Sequence, residues 1–375
     1  MNSFGLPFPP GFNPSRIFRP KASEGPVNWE MARFLGTSIA RDADTSSHWE
    51  HVQEEYDNLV RAAEMLVSQY TGLTSPTLLT PVKVVSRAGW VEENIEMFSS
   101  LIEPLGKKIA EAQAPSRAGA SLHKLMDALI PFMLGAQAGM LAGMASHHVL
   151  GRHDLQLPPP KSAKLVFVAP NLEEAERNLN VVPRDFKFWV VMHEVIHAIV
   201  FSQQGVRETY ESLIIGVTET LEVNTGQMNN MQGIDFNDQE AMRRLMNDPS
   251  AILDYFSSPA QEAALEEMKS FVSFVEGYCA HVIGKISQGN IQNLAHIEMA
   301  IDNYNVDQEK QTSNVFKHLL GFDMHRNQFD VPKEFCDDIV EKAGIDALNR
   351  VWHDPLARPS LREFGSPQEW LDRQF

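Results

Sequence analysis

The chain has 375 residues, 43% of them apolar and 22% charged, a globular composition long enough for one large core or for two to three domains of roughly 100–200 residues each. Lys and Arg number 32 against 49 Asp and Glu, a formal charge of −17, which repels phosphate backbones and anionic lipid surfaces, so neither nucleic acid nor a membrane is an expected partner. The two cysteines, Cys279 and Cys336, exclude a disulfide framework and a cysteine-rich zinc finger, so any metal is expected to use His and carboxylate, and they fit a reducing, cytoplasmic setting.

The N-terminal stretch MNSFGLPFPPGFNPSRIFRPK is broken by proline before any apolar signal core forms and reads as an extended arm. Apolar residues at three- and four-residue intervals predict helices over about 48–71, 88–113, 117–149, 184–204, 207–230, 260–286 and 333–344. Within the third, the run from about Ala128 to Ala145 approaches membrane-spanning length, but Pro131 and Gln137 interrupt it. Its Gly135, Gly139 and Gly143 recur every four residues, which lets another helix approach closely, and the soluble reading is preferred. Lys164–Ala169 is the clearest strand, bounded by Pro158-Pro159-Pro160 and by Pro170-Asn171. Thr74–Pro81 and Gly151–Ser162 are the two breaks, and no internal repeat is present. The expected fold is mainly α with at most a small β-sheet: an arm and helix over 1–80, then one domain over 81–375.

Chemistry concentrates on the helix predicted over 184–204. His193 and His197 lie four residues apart, so both imidazoles leave one face about a turn apart and can reach a single tetrahedral Zn²⁺ at roughly 2.0–2.1 Å. Glu194, next to the first histidine, is placed to reach a metal-bound water without ligating, and zinc lowers the pKa of such a water toward about 7. The bland alternative is two histidines flanking a solvated glutamate. The apolar neighbours Val190, Val191, Val195, Ile196, Ile199 and Val200 argue against it, since burying this polar trio without partners is costly.

A catalytic zinc needs a third protein ligand, and Glu276 is the expected one. It interrupts an otherwise apolar helix, where a lone carboxylate is expensive unless paired or metal-bound. Gly277 beside it suits close approach to the zinc helix, and a buried salt bridge to Arg207 or Arg243 is the competing explanation. His281 and Tyr278 are weaker candidates as transition-state donors, each more readily explained as a satisfied structural side chain. Glu219 and Glu222 could brace the ligand imidazoles or be ordinary solvated carboxylates. His147, His148 and His153 lack metal spacing with a carboxylate and are read as surface residues. There is no G-x-S-x-G elbow, Walker A loop or dinucleotide fingerprint.

Several segments together resemble the zincin-like proteins catalogued as a domain of unknown function, whose members are often labelled hydrolases or linked to deazaflavin coenzyme biosynthesis. The resemblance is carried by Val84–Asn94, Gly135–Gly139, Asp154–Pro159, Phe167–Asn171, Pro183–Phe186 leading into the His-Glu-x-x-His helix, Glu276-Gly277-Tyr278, Leu319–Phe322 and Asn349–Trp352. It implies a zincin-like metallohydrolase domain over 81–375, with His193, His197 and Glu276 as zinc ligands and Glu194 as general base. Where such proteins often read E-G-Y-A this chain has Cys279 in place of Ala, and Gly284 stands where an acidic residue is expected.

The leading functional expectation is a zinc metallopeptidase or related hydrolase in which Glu194 activates water against an amide of a peptide or a smaller amide substrate. The alternative is a non-catalytic, zinc-stabilised helical scaffold or binding protein. An open metal position favours the first, and a closed four-ligand shell favours the second.

Overall fold

The structure is a computed structural model that describes residues 25–41, 49, 52–112, 120–155, 164–220, 259–301 and 330–375. The N-terminal arm over 1–21, Glu222, Arg243, Pro158-Pro159-Pro160 and Leu319–Phe322 lie outside the described residues. The fold is mainly α, with one two-stranded parallel sheet.

In chain order, α1 (Trp29–Ile39) starts at Asn28, whose side chain accepts from Met31 N–H at 2.9 Å. Helix α2 (Gln53–Thr71) ends at Gly72, where φ of 72° calls for a residue without a Cβ. Strand β1 (Lys83–Val85) leads into α3 (Arg87–Asn94), a 3₁₀ turn (Ile95–Phe98), α4 (Ser99–Ala112) and α5 (Ala120–Ala145). Strand β2 (Val166–Val168) pairs with β1 in the register Lys83↔Val166, Val84↔Phe167 and Val85↔Val168. There follow α6 (Ala169–Asn178), α7 (Pro183–Ser202), α8 (Val206–Thr220) and α9 (Pro259–Ile286). The chain closes with α10 (Asp330–Ala343), α11 (Ile345–Asn349), α12 (Leu361–Phe364) and α13 (Pro367–Gln374).

A single apolar cluster runs from Val27 to Trp370. Helix α7 lies at its centre, against α2, α6, α8 and α9, and α9 in turn packs on α8, α10 and α2. That position explains why α7 is apolar nearly all round: among its residues Phe186, Val190, Val191, Met192, Val195, Ile196, Ile199 and Val200 are all buried.

Three local features differ from the sequence pattern. The helix expected over 88–113 is two helices, with the chain tightening to 3₁₀ geometry between them. The strand at 166–168 is shorter than expected because Pro170, read as a stop, sits in the first turn of α6, where its missing N–H has no intrahelical partner to lose. Strand β1 and the short C-terminal helices have too few residues to show a period.

The glycine stripe of α5 faces α1. A Cβ on Gly139 would collide with the backbone of Ala32, 2.9 Å from its Cα, and one on Gly143 would sit 2.9 Å from the carbonyl of Gly36. Gly36 returns the contact, its own Cβ position lying 3.0 Å from the Gly139 carbonyl. The small residues thus serve a helix pair inside the protein core, and among the described residues no helix is long and apolar enough to cross a membrane. Gly139→Ala is expected to lower stability by about 1–3 kcal/mol through overpacking. Gly216→Ala, in α8 with nothing within 4 Å of the added methyl, is expected to raise it by about 0.5–1 kcal/mol. Urea denaturation of the two variants reads both signs.

Candidate metal centre

Helix α7 starts at Pro183, with Asp185 in its first turn accepting from Gln292 N–H at 2.8 Å. From there Trp189, His193, His197 and Phe201 follow at four-residue spacing and form one stripe of rings. Trp189 stacks on His193 at 5.6 Å between centroids, His193 meets His197 at 4.5 Å, and His197 stacks on Phe201 at 6.3 Å. The opposing wall is α9, which brings Glu276 to 3.6 Å from His193 Nε2 and to 3.1 Å from His197 Nε2. Ligand atoms of a tetrahedral zinc bound at roughly 2.0–2.1 Å are about 3.3–3.4 Å apart, so both separations suit a shared ion.

His197 is 1% exposed, yet neither its Nε2 nor Glu276 Oε1 makes a hydrogen bond. Two buried polar atoms 3.1 Å apart that pair by charge without a hydrogen bond are an expensive arrangement in a finished core and an appropriate one around a cation. Burial works against charge on both groups. Even so, Glu276 and Cys279 hold His197 well above the ordinary imidazole range, and the two imidazoles hold Glu276 far below the carboxylate range. Tyr210 of α8 is buried beside Glu276, and that burial and the carboxylate push its phenol up. On the other side His193 is 13% exposed and Asp154, 4.0 Å from its Nδ1, is 25% exposed. Solvent therefore reaches the cluster from this edge.

Glu194 is completely buried and turned toward the loop at 150–154. Its Oε2 accepts from Arg152 N–H at 3.0 Å and from His153 Nδ1 at 2.9 Å, and its Oε1 accepts from His153 N–H at 3.0 Å. Burial opposes the charge, but His153 outweighs it and holds the Glu194 carboxyl below its ordinary range. Burial is the largest influence on His153 and lowers it below the ordinary imidazole range, against the pull of Glu194. The loop can come this close because residue 151 is Gly: a Cβ there would run into the Glu194 carboxylate. Trp90 Nε1 donates to Gly151 O at 2.8 Å, Asp154 accepts from the N–H groups of Leu150 and Gly151, and Asn171 donates to the carbonyls of Ser146 and Val149.

The residues named from sequence are thus sorted by the structure. His193, His197 and Glu276 come together, with Glu194 on the same helix. His153, read as a surface residue, is 2% exposed and stacks on His197 at 5.7 Å. No periodicity could reveal it, because it sits in a loop that only the fold brings to α7, although Asp154 next to it fell within a family-like segment. His147 and His148 are half-buried. Gly277 faces Pro332 of α10 rather than α7: a Cβ added there would lie 2.6 Å from Pro332. His281 leaves the cluster: its Nδ1 donates to Asp337 at 2.6 Å and its Nε2 accepts from Tyr70 OH at 2.7 Å. Tyr278 donates to Asn349 at 2.8 Å, Arg207 pairs with Glu211 at 3.7 Å, and Glu219 is exposed.

Two histidines a turn apart on one helix, facing a carboxylate from another, form a donor set that could hold a metal ion in a helical protein. The chain belongs to the zincin-like metallopeptidase family, whose signature it matches over residues 27–371. It is also similar in fold to a candidate hydrolase with a novel fold from Chloroflexus aurantiacus, known from its crystal structure, with a TM-score of 0.65 over 92% of this chain and 98% of that one at 23% identity. No curated protein is significantly similar to the chain.

The His281 pair gives a pH prediction. Burial is the largest influence on His281 and lowers it below the ordinary 6.5, against the pull of Asp337. The unfolded chain therefore takes up this proton first, so the stability contributed is full above pH 6.5 and declines as pH falls toward the folded value. Chelator-treated wild type is expected to lose more stability below pH 6.5 than His281→Gln, read as urea midpoints across that range.

Proposed function

We propose that the chain is a zinc-dependent hydrolase of amide bonds, with His193, His197 and Glu276 as ligands and Glu194 as general base. The observation that carries this reading is the unsatisfied, buried pair His197 Nε2 and Glu276 Oε1, 3.1 Å apart. Two imidazoles and one carboxylate are a donor set that zinc accepts in catalytic sites. A zinc ion bound there supplies Lewis acidity toward a carbonyl and acidifies water at neutral pH.

The protein's own groups provide the rest. Glu194 Oε2 has both acceptor directions filled by Arg152 and His153, whereas Oε1 accepts only the His153 N–H and keeps a lone pair. Oε1 is therefore the atom that takes the proton from the attacking water and returns it to the departing amine. His153, with its proton on Nδ1, holds the carboxylate ionised and fixed in orientation. The partly exposed edge at His193 and Asp154 is where a peptide or smaller amide would enter.

Protein purified without chelator or nickel is expected to carry about one zinc per chain by inductively coupled plasma mass spectrometry, lost in His193→Ala and Glu276→Ala. Glu194→Gln is expected to keep the metal and lose about 10²–10⁴-fold in hydrolysis of a peptide library. Wild-type protein that refuses added zinc would overturn the reading.

A further inference from the structure

Cys279 follows Glu276 by three residues on α9, and residues at that spacing share a helix face. It is buried, 1% exposed, within α9. Its Sγ and one nitrogen each from His193 and His197 all lie within 4.8 Å of one another. The buried His197 Nε2 and Glu276 Oε1, which find no hydrogen bond, border the same space. The Cys279 sulfur therefore lies with the two imidazoles, and Glu276 faces the same two rings from one turn earlier on α9.

We propose that Cys279, as a thiolate, is a fourth protein ligand of the ion held by His193, His197 and Glu276. This rests on the metal reading above and deepens it. As the sulfur–metal bond forms, the thiol S–H bond breaks and its proton leaves to solvent. Separations of up to 4.8 Å exceed the spacing of bound ligands, so Cys279 and the two histidines would draw together around an ion. Two consequences follow for this chain. A soft sulfur donor biases the site toward zinc and away from magnesium, calcium or manganese. A thiolate in the fourth position would close the shell, the arrangement expected of a zinc-stabilised scaffold, so hydrolysis would require the sulfur to give way to water.

The test loads chelator-stripped protein with Co²⁺ and records its absorption. Wild type is expected to show a thiolate-to-cobalt charge-transfer band in the near ultraviolet. Cys279→Ala and Cys279→Ser should lose that band while keeping visible cobalt bands from the remaining ligands, and Cys336→Ala should retain it. Zinc affinity of Cys279→Ala is expected to fall by at least about 10-fold, the lower end for loss of a partner that merely braces a ligand. Zinc loading should further protect Cys279 of the intact protein from alkylation, read by peptide mass spectrometry. Visible cobalt bands without the charge-transfer band in wild type would overturn Cys279 ligation and leave the three-ligand site standing. Wild type that binds no cobalt or zinc would overturn both.

Discussion

Much of the structure depends on keeping one buried carboxylate ionised. Glu194 has no exposure to solvent, and a carboxylate moved from water to such a place loses several kcal/mol unless its oxygens are satisfied. Three donors meet it, all from Arg152 and His153, and hydrogen bonds to a charged acceptor are each worth about 1.5–3 kcal/mol. That places strict demands on a loop with no regular structure of its own. The first half of the chain meets them: Trp90 from α3 holds Gly151, β2 accepts the loop through Val168 N–H on Leu150 O at 2.9 Å, and Asn171 at the start of α6 ties down the end of α5. Arg87 holds Asn171 in turn, its Nε 2.6 Å from the amide oxygen. The small sheet therefore has a specific task. Pairing β1 with β2 fixes the path of the segments on either side of this loop.

The other wall is set by helix packing. Helix α9 must approach α7 closely enough for Glu276 to face both imidazoles, and it is held there from behind by α10, where Pro332 fills the space that a side chain at 277 would occupy. His281 on the same helix, locked between Tyr70 of α2 and Asp337 of α10, fixes its rotation about half a turn beyond Cys279. A polar side chain outside the cluster thus controls which face of α9 is turned toward it. The ring stripe of α7 has a similar effect, since Trp189 and Phe201 cap the two histidines along the helix and limit their rotamers.

What could be read from sequence follows from the range of the interactions. The α7 helix, its two histidines and the anomaly of Glu276 in an apolar run were legible because each shows in a local pattern, a spacing or a polarity mismatch. The mainly α architecture and the close helix approach allowed by Gly135, Gly139 and Gly143 were legible for the same reason. His153 was not, because its burial depends on a loop crossing to α7 from 41 positions away. Gly277 was correctly expected to allow a close approach, but which helix approaches is a matter of tertiary packing that a lone glycine does not encode. Pro170 was misread as a boundary because proline is compatible both with the end of a strand and with the first turn of a helix.

Proton and metal compete for the same lone pairs in the His197–Glu276 pair. Without an ion, the charged imidazole that burial would otherwise forbid is maintained by the carboxylate opposite, and the carboxylate by the imidazole. This mutual dependence keeps both side chains aimed at the point where they converge, so the site is organised before an ion arrives and little further ordering is needed on binding. Binding must displace the imidazole proton, which couples affinity to pH. A cation held there would join α7 and α9 through two buried polar atoms that lack hydrogen bonds. The same residues thereby link the stability of the helical core to occupancy of its centre.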